Sequence, residues 1–242
     1  MTDADRRAQL AASLGEVRER IARACAAAGR DPASVTLVAV TKTYPASDVV
    51  LLAGLGVTDV GENKDQEAAA KAALVRDAGA AVRWHFVGQL QRNKAKSVVT
   101  YADVVESVDS LRLARALDGA AERHRDRPLD VLVQVSLDGD PERGGAVDGG
   151  PEPERDMWRV ADAVASAAHL RLRGVMTVAP ASWDPGAAFE KLAALAARLM
   201  AGHPDATVVS AGMSGDLEQA ITHGATHVRI GTSLLGMRNH LR

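Results

Sequence analysis

The chain has 242 residues, a length that suits one domain and lies close to that of a (β/α)8 barrel, about 250 residues. Hydrophobic residues make up 47% and charged residues 25%, so a core can form without disulfides or a structural metal. Lys and Arg number 29 against 31 Asp and Glu, a formal charge of −2, and aromatics are only 3%, which argues against nucleic acid or an acidic membrane surface as a partner.

The first segment, Thr2 to Ala28, is charged, rich in Ala and Leu, and helically spaced; Gly29 and Asp31-Pro32 end it. It contains Cys25, the one cysteine, so no disulfide can form within the chain. A buried, inert thiol and a reducing compartment are expected. The opening MTDADRRAQL lacks the apolar core of a signal peptide, and no apolar run reaches bilayer length. A cytoplasmic location follows as an expectation.

VTLVAV (35–40) is a short, β-branched apolar run that reads as a strand buried on both faces. The pattern recurs at 57–61, 83–88, 103–108, 131–137, 170–178, 207–213 and 227–231. Stretches of helical length such as FEKLAALAARLM (189–200) lie between these runs. Eight strands alternating with helices imply parallel pairing and right-handed crossovers. The expected fold is one (β/α)8 TIM barrel with an extra N-terminal helix, a single domain over residues 1–242. Residues 138–153, rich in Gly, Pro and acid, read as a long mobile loop after strand five rather than a linker.

In this fold the active site lies at the C-terminal ends of the strands. Lys42 follows the first apolar run directly. A lysine there is expected to be partly desolvated, which favours the neutral amine needed for imine formation; from position alone it could equally be a lysine that reaches solvent. Asn63 and His85 stand at the ends of strands two and three, where a helix cap and a satisfied core histidine are the plainer readings. Met213-Ser214-Gly215-Asp216 after strand seven and Gly231-Thr232-Ser233 after strand eight occupy the usual phosphate cradle of the fold. A lysine on strand one and a phosphate cradle on strands seven and eight suggest a phosphorylated carbonyl compound held as an imine. His223 and His227 straddle a helix end and a strand, so no metal site is indicated. Walker, dinucleotide-binding and Ser-His-Asp signatures are missing from the sequence.

VAVTKTYPASDV around Lys42, then GENKDQE, WHFVGQLQRNK, RLRGVMTV, AGMSGDLEQAI and VRIGTSLLGMR follow in that order from Val35 to Arg238. Together they resemble the pyridoxal phosphate homeostasis protein family, whose fold is similar to the N-terminal domain of bacterial alanine racemase. The resemblance implies pyridoxal 5′-phosphate (PLP) as the cofactor, joined to Lys42 as an internal aldimine. It implies that Ser214, Gly231 and Thr232 hold the phosphate and that Arg229 faces the pyridine nitrogen. It further implies that Asn63, His85 and Met176 line the pocket. Arg143 stands where a lysine is common in the family, and Gln89 and Gly215 stand at variable positions.

A guanidinium does not readily release a proton, so a pyridine nitrogen opposite Arg229 stays largely unprotonated and the ring is a poor electron sink. A racemase of this type also draws an acid/base residue from a partner's second domain, which has no counterpart in this sequence. The expectation is a monomeric protein with little or no catalysis. It would store PLP or deliver it to PLP-dependent apoenzymes. The alternatives are a racemase-like enzyme, a phosphosugar Schiff-base aldolase and a barrel that binds no cofactor.

Overall fold

The architecture was obtained as a computed structural model, which describes residues 2–140 and 142–236. The last two residues of the final motif, 237 and 238, lie outside the described residues, as does the end of the expected domain. Eight parallel strands close in sequence order: β1 Thr36–Val40, β2 Asp59–Glu62, β3 Arg83–Phe86, β4 Val104–Val108, β5 Leu129–Gln134, β6 Leu170–Met176, β7 Val208–Ser210 and β8 His227–Ile230. β8 pairs back to β1, with Ala39 opposite Ile230. The expected eight-stranded barrel is therefore present.

The helices are α1 Asp3–Ala27, α2 Ala46–Gly54, α3 Asp65–Asp77, α4 Ala95–Tyr101, α5 Leu111–His124, α6 Met157–Ala165, α7 Pro185–Gly202, α8 Leu217–Thr222 and α9 Thr232–Leu235. Thr2 caps α1 by a reciprocal pair with Asp5. Leu10, Leu14, Val17 and Ile21, spaced by three and four, form its buried face. That face packs beside α8, α9 and α2. Among the described residues only four-residue α9 follows β8, and α1, packed beside α8 and α9, takes the eighth place in the outer ring. The extra helix expected from the sequence thus completes the ring.

Most of the hydrophobic core lies between strands and helices, in two clusters that include Phe86, Leu117, Leu129 and Leu192 on one side and Leu10, Leu52, Val60 and Val228 on the other. The inside of the barrel differs. Such barrels are commonly filled by layers of branched aliphatic side chains. Here Val104, Leu132 and Met176, with Val208 against them, form one small apolar patch. Beside it are buried Asp59, His85, Glu106, Ser210 and Arg229.

The segment expected to be a long mobile loop does connect β5 to α6, but its centre is tied down. Ala146 is buried and bridges Val135; Val147 bridges Asp156. Arg143 pairs with Asp138 at 2.8 Å and donates to the carbonyls of Val178 and Ala179. These bonds anchor the loop to the end of β6, a tertiary tie that local composition does not reveal.

Candidate cofactor site

Side chains alternate along a strand, so Val38 and Val40 share one face of β1. Val38 and Val40 meet the open side of Gly61, where a Cβ would lie 3.3 and 3.4 Å from them. Lys42 lies two residues beyond the end of β1, in the turn before α2. It is exposed. The partial desolvation expected from sequence is therefore corrected, because the chain has left the strand and Lys42 stands in an exposed turn. The neighbouring backbone is firmly held. Lys71 of α3 donates to the Thr41 carbonyl at 2.8 Å, and Glu67 accepts from the Thr43 amide at 2.5 Å.

Closure of β8 onto β1 brings the second feature beside Lys42. Gly231 lies next to Val40; a Cβ there would stand 3.5 Å from the Val40 carbonyl oxygen. Ser214, in the loop after β7, is 3.4 Å from both the Thr232 hydroxyl and the Ser233 amide. The two loops expected to form a phosphate cradle thus do converge. Arg20 supports this arrangement from outside, donating to the Ser214 carbonyl and pairing with Glu218 at 2.7 Å. Gly212 has φ 90°, and a Cβ on it would be 2.6 Å from that of Ala220, so the chain can turn into α8 there only without a side chain.

Arg229 lies inside the barrel, buried. Its Nη1 donates to Ser210 Oγ at 2.8 Å and its Nη2 to the Thr177 carbonyl at 2.6 Å. Ser210 in turn donates to Glu106 Oε2 at 2.6 Å. Glu106 Oε1 is 2.6 Å from His85 Nδ1, and His85 Nε2 is 2.9 Å from Asp59 Oδ1. A carboxylate only accepts hydrogen bonds, so His85 donates from both nitrogens and is an imidazolium. Burial alone would lower its pKa, but the two carboxylates outweigh this and raise it to about 9. Burial would likewise raise Glu106; the hydrogen bond and charge of His85, with the charge of Arg229, bring it down to about 2. His227, 6.0 Å from His85 between ring centres, is pushed down to about 4, chiefly by burial.

The remaining residues singled out in the sequence fall into two groups. Asn63 is half-buried at the end of β2 and lines a rim groove of about 480 Å³ with Gln89, Leu90 and Lys94. Gly88 is required beside it, since a Cβ there would lie 2.2 Å from the Asn63 carbonyl oxygen. Met176 is buried in the interior apolar patch. His85 lies among the interior charges, with both nitrogens taken. Sequence reading missed Glu106, Ser210, Glu67 and Lys71. Glu106 carried a signal: a carboxylate within the apolar run VVESV of a strand buried on both faces.

These groups suit a flat, phosphorylated aldehyde. The site offers an amine at the rim, hydroxyls and a glycine on the adjacent strand loops, and a buried guanidinium with N–H groups beyond the two already engaged. Residues 12–239 match the family described as alanine racemase, N-terminal domain. The pyridoxal phosphate homeostasis protein of Mycobacterium leprae is 43% identical over 96% of this chain and 94% of the relative. That of Escherichia coli is 34% identical over 96% and 97%. The structure of PipY from Synechococcus elongatus PCC7942 with PLP bound has a TM-score of 0.79 and 33% identity, covering 94% of this chain and 100% of that one. The chain belongs to the pyridoxal phosphate homeostasis protein family, built on the barrel of the alanine racemase N-terminal domain.

Proposed function

We propose that this chain binds PLP as a Schiff base on Lys42 and takes part in intracellular vitamin B6 homeostasis, storing the cofactor or delivering it to apoenzymes, with little or no catalysis of its own. The observation that carries the reading is the pairing of β8 with β1, which sets Gly231 against Val40, two residues before Lys42, and puts the Ser214–Thr232 cradle at the same end of the barrel. The family relationship and the PLP-bound PipY structure support the choice of ligand. When bound, PLP supplies an aldehyde carbon with which the Lys42 amine condenses, releasing one water.

The chain's own residues divide the work by position. Ser214, Gly231 and Thr232 would hold the phosphate, their hydroxyls and amides serving as donors to its oxygens. Arg229 would face the ring nitrogen and, because the guanidinium holds its own proton, would leave that nitrogen largely unprotonated. That weakens the ring as an electron sink, which suits storage better than amino-acid chemistry. Asn63 and Met176 would border the ring, with His85 acting from the interior. No helix among the described residues is long and apolar enough to cross a membrane. We place the protein in the cytoplasm as a monomer, with PLP-dependent apoenzymes as recipients.

The second reading is a racemase-like enzyme, favoured by the match to the alanine racemase N-terminal domain. Visible spectra with and without added PLP, for the wild type and Lys42→Ala, test the binding claim: an imine band in the first only is expected. Transfer of PLP to an apoenzyme, beside turnover of a panel of amino acids, separates storage from racemisation. Steady racemisation would displace the storage reading.

A further inference from the structure

The buried charges inside the barrel form a continuous chain that runs down from the cofactor pocket. It runs Asp59, His85, Glu106, Ser210, Arg229, with contacts of 2.9, 2.6, 2.6 and 2.8 Å. Two anions alternate with two cations, so the set is neutral as a whole. Taking ions out of water costs several kcal/mol each unless geometry and hydrogen bonds compensate. Val104, Leu132 and Met176 show that apolar packing is compatible with the same interior. A polar chain there therefore calls for an explanation beyond stability, and its upper end is the arginine beneath the ring.

We propose that Glu106 is a positioning residue for Arg229: bridged by Ser210 and backed by His85, it fixes the guanidinium in place and offsets its charge under the cofactor ring. This rests on the reading of Lys42 as the Schiff-base lysine. The geometry is specific. Glu106 Oε2 lies 4.0 Å from Arg229 Nη1, close enough to act on its field, and Ser210 links the two by hydrogen bonds on both sides. Thr177 holds the other arm of the fork through its carbonyl. With two arms anchored, Arg229 cannot rotate without breaking both bonds. The groups that face the chain are Asp59 from β2, His85 from β3, Ser210 from β7 and His227 from β8, with Arg83 acting on Asp59 from the barrel floor. Of the carboxylates in the chain Glu106 stands next to Arg229, and Asp216, from the loop after β7, also acts on the guanidinium charge.

The consequence is electrostatic. Removing the Glu106 charge leaves Arg229 less screened, so the potential at the ring and imine becomes more positive. A more positive site disfavours the protonated imine, and the imine should titrate at lower pH. His85 would hold its proton less firmly in such a variant, but it lies farther from Arg229, so the loss of the nearer carboxylate dominates.

The test is a spectrophotometric pH titration of the imine band in PLP-loaded wild type, Glu106→Gln and Glu106→Asp. We expect the Glu106→Gln midpoint to fall by roughly half a pH unit or more, with Glu106→Asp nearer the wild type. Should Glu106→Gln fail to fold, Ser210→Ala removes the bridge and keeps the charge. It should release PLP about fivefold faster, the effect of one hydrogen bond. An imine band that titrates identically in wild type and Glu106→Gln, or unchanged release in Ser210→Ala, overturns the proposal while leaving the Lys42 reading intact. No imine band in the wild type overturns both.

Discussion

Glu67 accepts the backbone amide of Thr43 at 2.5 Å and so grips the residue that follows Lys42. Its helical neighbour one turn on, Lys71, grips the carbonyl of Thr41, the residue before. The two α3 side chains are themselves 3.1 Å apart, and Lys71 also meets Glu62 at 2.5 Å. Thr43 has φ 69°, a left-handed conformation that β-branched residues rarely adopt. Strain of this kind costs about 1–3 kcal/mol and persists only where the surroundings hold it. Here the half-buried Glu67 and the buried Lys71 clamp the backbone on both sides of an exposed lysine, with Glu62 backing Lys71.

The clamp leads to a stability prediction. Lys71→Met leaves Glu62 buried without its cation and should destabilise the protein by about 3–5 kcal/mol. Adding Glu62→Gln should recover much of that loss, since the uncompensated charge is then gone. Urea unfolding of the two single variants and the double variant measures the coupling. Strict additivity would show that the pair does not act as a unit.

The cradle gives a ligand-selective prediction. Ser214→Ala removes one donor to the phosphate, and a hydrogen bond to a charged group is worth about 1.5–3 kcal/mol. PLP affinity should fall roughly 10- to 100-fold. Affinity for pyridoxal, which has no phosphate, should stay within about twofold of the wild type by the same argument. Equal losses for both ligands would move the phosphate away from Ser214.

The interior chain has a pH signature. His85 is raised to about 9 in the folded protein, so its contribution is complete below its unfolded value near 6.5 and is lost as pH rises through about 9. Glu106 is lowered to about 2, so its contribution is present above about 4.5 and lost as pH falls through about 2. His227, pushed down to about 4, loses its contribution as pH falls from about 6.5 toward 4, so the three together favour a stability maximum near pH 6.5. Urea midpoints of the ligand-free protein should decline from pH 6.5 to 9, by on the order of 3 kcal/mol in free energy. His85→Gln should flatten that limb. A wild-type limb that is already flat would mean that His85 is not held as a cation.

Two glycines offer a matched contrast. Gly88→Ala places a methyl 2.2 Å from the Asn63 carbonyl oxygen, on backbone that must shift, and should cost about 1–3 kcal/mol. Gly15→Ala, inside α1 with nothing within 4 Å, should stabilise by about 0.5–1 kcal/mol. Thermal melts of the two should therefore move in opposite directions.

Much of this was legible in the sequence, and the reason is burial on both faces of each strand. Runs such as VTLVAV stand out between helical stretches, and eight of them in alternation leave few topologies. Strand ends were less legible. The seventh run was expected to extend to residue 213, but β7 stops at Ser210, because Gly212 at φ 90° turns the chain toward α8. β5 begins two residues early, at Leu129, whose amide already pairs with the His169 carbonyl. The site residues on one strand end, such as Lys42, were visible from position. The chain from Asp59 to Arg229 was not, since β2, β3, β4, β7 and β8 meet only when the barrel closes. The exposure of Lys42 was likewise hidden, because desolvation depends on what packs over the rim, and the loop from 138 to 153 is fastened to β6 by Arg143.

The central claim is that Lys42 carries PLP. Incubation with PLP, reduction with borohydride and peptide mapping by mass spectrometry test it most directly. The account predicts one stoichiometric pyridoxyl-phosphate adduct, on the peptide containing Lys42, and its loss in Lys42→Ala. Stoichiometric labelling at another lysine, or none at all in the folded wild-type protein, would contradict it.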